Sequence, residues 1–185
     1  AISMRRPTRA RRKATRPPAP GRLVLVPGHA IYAGTEQAHC DQDERWFLLP
    51  FQRGEPPRYV EHVWRGVREA ARDAGALLVL SGGQTRAEAG PRSEAHGYWQ
   101  LARQHRWWGH ADVGKRALNE EFARGALENL LFSICRFRQQ TGRCPERVTV
   151  VGWAFKAARF EQHRRALGLP GLQYIGVNDP EDLDA

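Results

Sequence analysis

Four short runs of apolar residues stand out along the chain. None shows the alternation of apolar and polar residues that is expected of a strand with one solvent-exposed face. These runs predict strands at 22–27, 77–80, 147–151 and 172–177. Continuous apolar strands are typical of parallel sheets that are buried on both faces. Glycine follows closely after the first three, at Gly28, Gly82 and Gly152, where we expect the strands to stop.

Apolar residues at helical spacing separate these runs. They predict helices at about 57–74, 93–105, 120–141 and 157–167. In the third helix the predicted buried stripe is Leu127, Leu130, Leu131 and Ile134, and we expect Cys135 to be buried as well. Residues 28–56 form a long polar connection, and 106–119 fit either a short strand or a loop. Alternating strands and helices predict one three-layer α/β domain over residues 21–185 with a mostly parallel sheet.

The charge of the chain is concentrated at its start. The formal net charge is +9, but residues 1–20 contain seven basic residues and no acid, which leaves +2 for residues 21–185. This segment also has four prolines and few large apolar residues, so we predict a disordered basic tail. Three interpretations stay open for it: weak contact with nucleic acid or an anionic membrane, organelle targeting, or a solvated extension.

Cysteine content and hydropathy bear on the compartment. The three cysteines are an odd number without CxxC spacing, which argues against a disulfide framework or a zinc site and favours a reducing compartment. No run approaches the ~20 apolar residues of a membrane span, and no secretory signal is visible. We therefore predict a cytoplasmic protein without a transmembrane segment.

Polar and glycine-rich segments follow the predicted strands, where ligands of open parallel sheets bind. The first strand leads to Gly28 and His29, and the second leads to a loop and a helix start. We predict that this edge forms a cleft. Its candidate ligand-binding residues are Gly28, Ser81, Gly82, Gly83, Thr85, Arg86, Ser93, Glu128 and Asn129.

His29 and Glu94 are the candidate catalytic residues. His29 is suited to act as a general base or to hydrogen-bond a substrate oxygen, although a loop histidine bonded to backbone has the same pattern. Glu94 is suited to acid–base work, but a carboxylate also stabilises the first turn of any helix.

The other candidates also have two interpretations each. The amides of residues 81–83 would cradle a phosphate or carboxylate, or they would only form a tight turn. Arg86 would neutralise an anion or face solvent, and Glu128 and Asn129 would face solvent or point into the site. Gly125, four residues before Asn129, suggests that the backbone is closely approached at this position, because glycine has no side chain. No HxH, HExxH or DxD cluster predicts a metal site, and the sequence leaves the cofactor unassigned.

Six segments together resemble the SanA/ElyC/YdcF-type family of domains of unknown function, especially its cytosolic eukaryotic branch. They are VPGHAIY (26–32), SGGQTR (81–86), AGPRSEA (89–95), EEFA (120–123), ENLLFSICRF (128–137) and VVGWAFKAARF (150–160). The resemblance implies a Rossmann-like fold and a cleft built from the candidate residues above. It implies little settled biochemistry: bacterial members are linked to envelope integrity and lipid-carrier metabolism, and one to binding S-adenosylmethionine. This chain departs from the family at Gly125 and Ala126, where a hydroxyl residue is usual.

Three functions follow as hypotheses. The first is an enzyme that binds and acts on an anionic or nucleotide-like small molecule. The second is a non-catalytic module that binds a ligand such as S-adenosylmethionine. The third is an interaction protein tethered through its basic tail.

Overall fold

Residues 20–178 are described in a computed structural model of the protein, and they contain a five-stranded parallel sheet. Its strands are β1 (Arg22–Pro27), β4 (Ala76–Ser81), β5 (Ala117–Glu120), β6 (Arg147–Trp153) and β7 (Gln173–Val177), in the spatial order β5-β4-β1-β6-β7. The register aligns Pro27 at the end of β1 with Ser81 at the end of β4, and Ser81 with Glu120 at the end of β5. The carboxyl ends of these three neighbouring strands therefore lie side by side.

Helices cover both faces of this sheet. Helices α1 (Pro56–Ala71) and α2 (Glu94–Gln104) pack on one face, where Val24, Val26, Leu78 and Leu80 point. Helices α4 (Ala126–Thr141) and α5 (Ala157–Ala166) pack on the other face against the alternate side chains of the same strands. A one-turn helix, α3 (Ala111–Gly114), precedes β5. The predicted three-layer α/β class with a parallel sheet is thus confirmed.

The long polar connection after β1 has structure of its own. It contains a two-stranded antiparallel ribbon, β2 (Ile31–Tyr32) and β3 (Trp46–Phe47), and a short 3-10 turn at Pro50–Gln52. Trp46 and Tyr32 are buried against α2, so the ribbon is anchored on the same layer as α1 and α2. This anchoring fixes the turn at 50–52 above the carboxyl end of β1.

The region before α4 differs from the sequence prediction. The predicted helix 120–141 starts only at Ala126, because Ala117–Glu120 forms the edge strand β5 and a loop follows it. The predicted stop at Gly152 was also wrong, since β6 continues through Trp153. Gly152 does not end the strand, because β6 keeps its pairing with β7 through this position, at Gly176 and Val177.

The buried face of α4 was predicted only in part. Leu130 and Ile134 are buried, together with Asn129, Ser133 and Phe137. Leu127, Leu131 and Cys135 are exposed, so their predicted burial was wrong. Two apolar stripes at helical spacing run along this helix, and spacing alone does not say which one faces the sheet.

The predicted basic tail, apart from Pro20, and the acidic end after Asn178 lie outside the described residues. Within residues 20–178, no helix has both the length and the apolar character needed to cross a membrane.

Candidate functional site

A cleft of about 370 Å³ opens beyond the carboxyl ends of β1, β4 and β6. The turn at Pro50–Gln52 forms one rim, and the start of α4 forms the opposite wall. The polar and charged lining comes from five segments of the chain that are distant in sequence: His29, Gln52, Thr85, Arg86, Glu94, Arg124, Asn129, Lys156 and Arg159.

Glu94 is the buried carboxylate of this cleft. Its side chain is 6% exposed, and Thr85 Oγ1 donates a hydrogen bond to its Oε1 at 2.5 Å. No group among residues 20–178 donates to its other oxygen, Oε2. Burial raises the pKa of Glu94, while Thr85, Arg86 and Lys156 oppose that shift. A buried carboxyl group with a raised pKa that faces a cleft is suited to act as a general acid or base.

Two glycines make room for Glu94. A Cβ on Gly28 would lie 2.5 Å from Glu94 Cβ and 2.6 Å from its Oε2. A Cβ on Gly82 would lie 2.5 Å from the same Oε2, and Gly82 also has φ +155, which side chains rarely adopt. The carboxylate therefore sits against bare backbone on two sides.

His29 and Lys156 form a second polar pair in the cleft. Lys156 Nζ lies 3.1 Å from His29 Nδ1 and donates to it. Burial lowers the pKa of His29 well below its usual range, and the charges of Lys156 and His62 add to the effect. The imidazole is therefore neutral at physiological pH, with Nδ1 as acceptor. Its lowered pKa makes it a weak base and Lys156 occupies its Nδ1 lone pair, so both features weaken the case for His29 as a general base.

A cluster of aromatic and histidine side chains lies behind His29. The ring of His62 is 5.4 Å from that of His29 and 4.9 Å from that of Trp153, with Tyr59 alongside. His62 is fully buried, and neither of its ring nitrogens has a hydrogen-bond partner among residues 20–178. Burial lowers the pKa of His62 to about 3, with contributions from Lys156 and Arg58.

Four cationic side chains surround the cleft: Arg86, Arg124, Lys156 and Arg159. None of the salt bridges within residues 20–178 involves any of the four. The first-turn N–H groups of α4, at residues 126–128, also have no acceptor within the described chain. Four positive charges therefore face a cleft whose lining, within the described residues, includes one carboxylate, Glu94.

The predicted glycine cradle is not arranged as the sequence suggested. The N–H of Gly82 donates to Glu120 O at 3.0 Å, and the N–H of Gly83 donates to Ala123 O at 2.7 Å. The start of α2 is likewise satisfied, because Ser93 Oγ accepts from His96 N and the Glu94 N–H donates to Gly83 O. These amides hold the protein together and are not free to bind an anion.

Ser81 belongs to a buried network next to the cleft. Its hydroxyl donates to Glu120 Oε2 at 2.5 Å and lies 2.8 Å from Asn129 Oδ1. The other oxygen of Glu120 accepts from the N–H groups of Phe122 and Ala123. This network fixes the loop between β5 and α4, and it places Asn129 at the cleft.

The structure therefore divides the predicted site residues into two groups. Gly28, His29, Thr85, Arg86, Glu94 and Asn129 line the cleft. Ser81, Gly82, Gly83, Ser93 and Glu128 do not line it. Glu128 accepts a hydrogen bond from the N–H of Arg124, so it caps the loop before α4. The expected close approach at Gly125 is absent, since a Cβ added there would meet no atom of the described chain within 4 Å.

Comparison with known proteins adds one similarity of sequence. The chain is similar to the uncharacterised protein YOR238W of Saccharomyces cerevisiae (strain ATCC 204508 / S288c). The two are 27% identical over 205 residues, which cover 86% of this chain and 67% of the yeast protein. No family model and no solved structure matches the chain. The name of the yeast protein assigns no activity, so function is inferred from the geometry of the cleft.

Sequence reasoning missed two residues that line the cleft, Gln52 and Arg124. Gln52 is buried; its Nε2 donates to His29 O, and its Oε1 accepts from Arg86. Glu120, in the network next to the cleft, was assigned to a helix. Lys156 was not among the predicted site residues, and its contact with His29 joins residues 127 positions apart. Only the end-of-strand position of Lys156 was a usable signal. Among residues 20–178, no three His, Cys, Asp or Glu side chains form a group that could hold a metal ion.

Proposed function

We propose that this protein binds an anionic, phosphate-bearing or nucleotide-like small molecule in this cleft, and that Glu94 exchanges a proton with it. The observation that carries the proposal is the convergence of Arg86, Arg124, Lys156 and Arg159 on one cleft without a salt-bridge partner in the described chain. Four cations around one buried carboxylate leave an excess of positive charge in the cleft, and this excess favours an anionic ligand.

The first turn of α4 supports the same ligand class. Its N–H groups point out of the helix end, where the helix dipole is positive, and residues 124–126 line the cleft. Phosphate oxygens accept hydrogen bonds from such amides and from guanidinium groups together. This wall, and not the glycine turn after β4, is the anion-binding surface we propose.

Glu94 supports a chemical step as well as binding. It lies in the same cleft, its Oε2 has no donor within the described chain, and burial raises its pKa. A buried carboxyl group with a raised pKa serves as general acid or base in the cleavage of an ester or anhydride bond.

Two further proposals accompany this function. Each of the six segments that resemble the SanA/ElyC/YdcF-type family contributes at least one residue to the lining of the cleft, and we propose membership on that basis. We also propose a cytoplasmic location, supported by the three cysteines, all of which are free.

The test is calorimetric titration of the purified protein with ADP, glucose 6-phosphate and pyrophosphate. Arg124→Gln should weaken binding of the best ligand by about tenfold or more, since it removes a charged hydrogen-bond donor. Arg138→Gln is the matched control, because Arg138 is exposed on α4, the helix that follows Arg124, and lies away from the cleft. Failure of all three ligands to bind, or equal losses in both variants, would contradict the proposal.

Release of phosphate from the bound ligand tests the chemical step. Turnover that is lost in Glu94→Gln while affinity is kept would establish Glu94 as the proton-transfer group. Binding without turnover in the wild type would instead favour the non-catalytic module.

A further inference from the structure

Lys156 is held in the cleft in a way that its charge alone does not explain. It follows β6 in a short 3-10 turn, and its Nζ is fixed 3.1 Å from the acceptor nitrogen of His29. The side chain is partly buried, yet it lines the cleft together with Glu94 and Arg159. A lysine that only attracted an anion would need no such partner.

Two surrounding features favour the neutral amine of Lys156. Burial is the larger and the neighbouring charge of Arg159 the smaller, and together they outweigh the opposing charges of Glu94 and Glu55 and lower the pKa of Lys156 to about 8. A neutral amine has a free electron pair and is a nucleophile, whereas an ammonium group is not. His29 does not take the proton from Lys156, because the pKa of the imidazole lies below that of the amine.

The imidazole of His29 can accept a hydrogen bond from the Lys156 nitrogen both as an amine and as a protonated imine. Its Nδ1 accepts a hydrogen bond from the Lys156 amine, and it would equally accept one from the N–H of a protonated imine at the same position. Thus the partner that orients the amine also fits the product of its reaction with a carbonyl group.

We propose that Lys156 forms an imine with a phosphate-bearing aldehyde or ketone bound in this cleft. The proposal rests on the anion-binding function above and names its ligand class more closely. The amine attacks the carbonyl carbon, and a C–N bond forms. The carbonyl oxygen then leaves as water. One of the two protons of this water comes from the amine nitrogen and the other from the carboxyl group of Glu94, which leaves a protonated imine beside His29 and an ionised Glu94.

The lysine content of the chain makes a direct test possible. The sequence contains three lysines, Lys13, Lys115 and Lys156, and Lys115 is exposed outside the cleft. The full chain is incubated with pyridoxal 5′-phosphate, a phosphate-bearing aldehyde, and reduced with borohydride. Labelled peptides are then quantified by mass spectrometry. At pH 8, where an ordinary lysine amine (pKa ~10.4) is almost fully protonated, labelling of Lys156 should exceed that of Lys115 by about tenfold or more.

Two comparisons make the result specific. Lys156→Arg keeps the positive charge and should abolish the selective label without changing that of Lys115. Pyrophosphate should compete with the label at Lys156 and not at Lys115.

Labelling of Lys156 should rise between pH 7 and 9, in step with deprotonation of an amine of pKa about 8.

The outcomes separate this inference from the proposed function. If pyrophosphate binds but Lys156 is labelled no faster than Lys115, the imine proposal is overturned and anion binding stands. If Lys156 is labelled selectively but pyrophosphate neither binds nor competes, the reactive amine is supported and the anion site is overturned.

Discussion

Two buried glutamates near the carboxyl ends of adjacent strands have opposite surroundings. Glu120 ends β5, is 4% exposed, and has both oxygens occupied: one by Ser81, the other by two backbone N–H groups. Glu94 begins the helix after β4 and is 6% exposed, but only one of its oxygens is held, by Thr85. The difference lies in hydrogen bonding, because burial is nearly the same.

This contrast assigns different work to the two carboxylates. A buried carboxylate with both oxygens engaged ties together the groups that bond to it. A buried carboxylate that faces a cleft, has one oxygen without a hydrogen-bond donor and has a shifted pKa is available to a ligand. Residues 81–83 form hydrogen bonds with Glu120 and the loop after it, so their role is structural. Thr85 and Arg86 instead interact with Glu94 in the cleft.

Removing the Glu120 carboxylate should have the largest effect on stability. Glu120→Ala leaves the Ser81 hydroxyl and the N–H groups of Phe122 and Ala123 without this acceptor, and Ser81 and Ala123 are buried. We expect the free energy of unfolding to fall by about 3 kcal/mol, as measured by urea denaturation.

The neighbouring glutamate gives the control for this change. Glu121 is exposed and accepts one hydrogen bond, from Ser93. Glu121→Ala should cost less than about 1 kcal/mol. Equal losses in the two variants would show that the network around Glu120 has no special role.

Crowding Glu94 from the side should have the next largest effect. Gly28→Ala places a methyl group 2.5 Å from Glu94 Cβ, so the carboxylate must move. We expect a loss of about 2 kcal/mol in unfolding free energy, together with weakened ligand binding in the calorimetric assay.

Gly125→Ala is the matched glycine variant, since Gly125 also lines the cleft but has open space at its Cβ position. It should change stability by no more than about 1 kcal/mol. A larger loss at Gly125 than at Gly28 would contradict the packing described around Glu94.

The pH dependence of stability tests the cluster behind the cleft. His62 has a pKa of about 3 in the folded protein against 6.5 as its ordinary value, so between these limits only the unfolded chain binds the proton. Stability should therefore fall as pH decreases from 6.5, by up to about 1.4 kcal/mol per pH unit from this one residue.

His62→Phe keeps a ring of similar size and removes the titration. Urea denaturation from pH 7 to 4 should show a shallower slope for this variant than for the wild type. Parallel slopes would mean that His62 is accessible to protons in the folded state.

The sequence predicted the parallel sheet and its edge, but only part of the site. Strand runs and glycine stops are local signals, and they placed Gly28, Thr85, Arg86 and Glu94 correctly beside one another. The roles within the site depend on long-range contacts. Whether the Gly82 and Gly83 amides are free depends on β5 and the loop after it, whose backbone oxygens accept from them.

The errors on α4 have a related cause. The stripe with Leu127 and Leu131 and the stripe with Leu130 and Ile134 have the same periodicity. Only the packing of α4 on the sheet selects the second. A strand as short as β5 gives too few residues to be recognised by alternation, so Glu120 was assigned to the wrong element.

Neutralising Glu94 should have the smallest effect on stability and a large one on function. Its folded pKa is raised by burial, so the ionised carboxylate is penalised in the folded protein, and the penalty is fully present above that pKa. Glu94→Gln removes it and keeps an oxygen for the Thr85 hydroxyl. The variant should therefore match or exceed the wild type by no more than about 1 kcal/mol at pH 8, and the difference should vanish as pH falls below 4.5. Turnover of the ligand found by calorimetry should fall by about 100-fold or more, as expected when a general acid or base is lost. A loss of stability near that of Glu120→Ala would instead show that Glu94 also serves to hold the structure together, and the contrast between the two carboxylates would disappear.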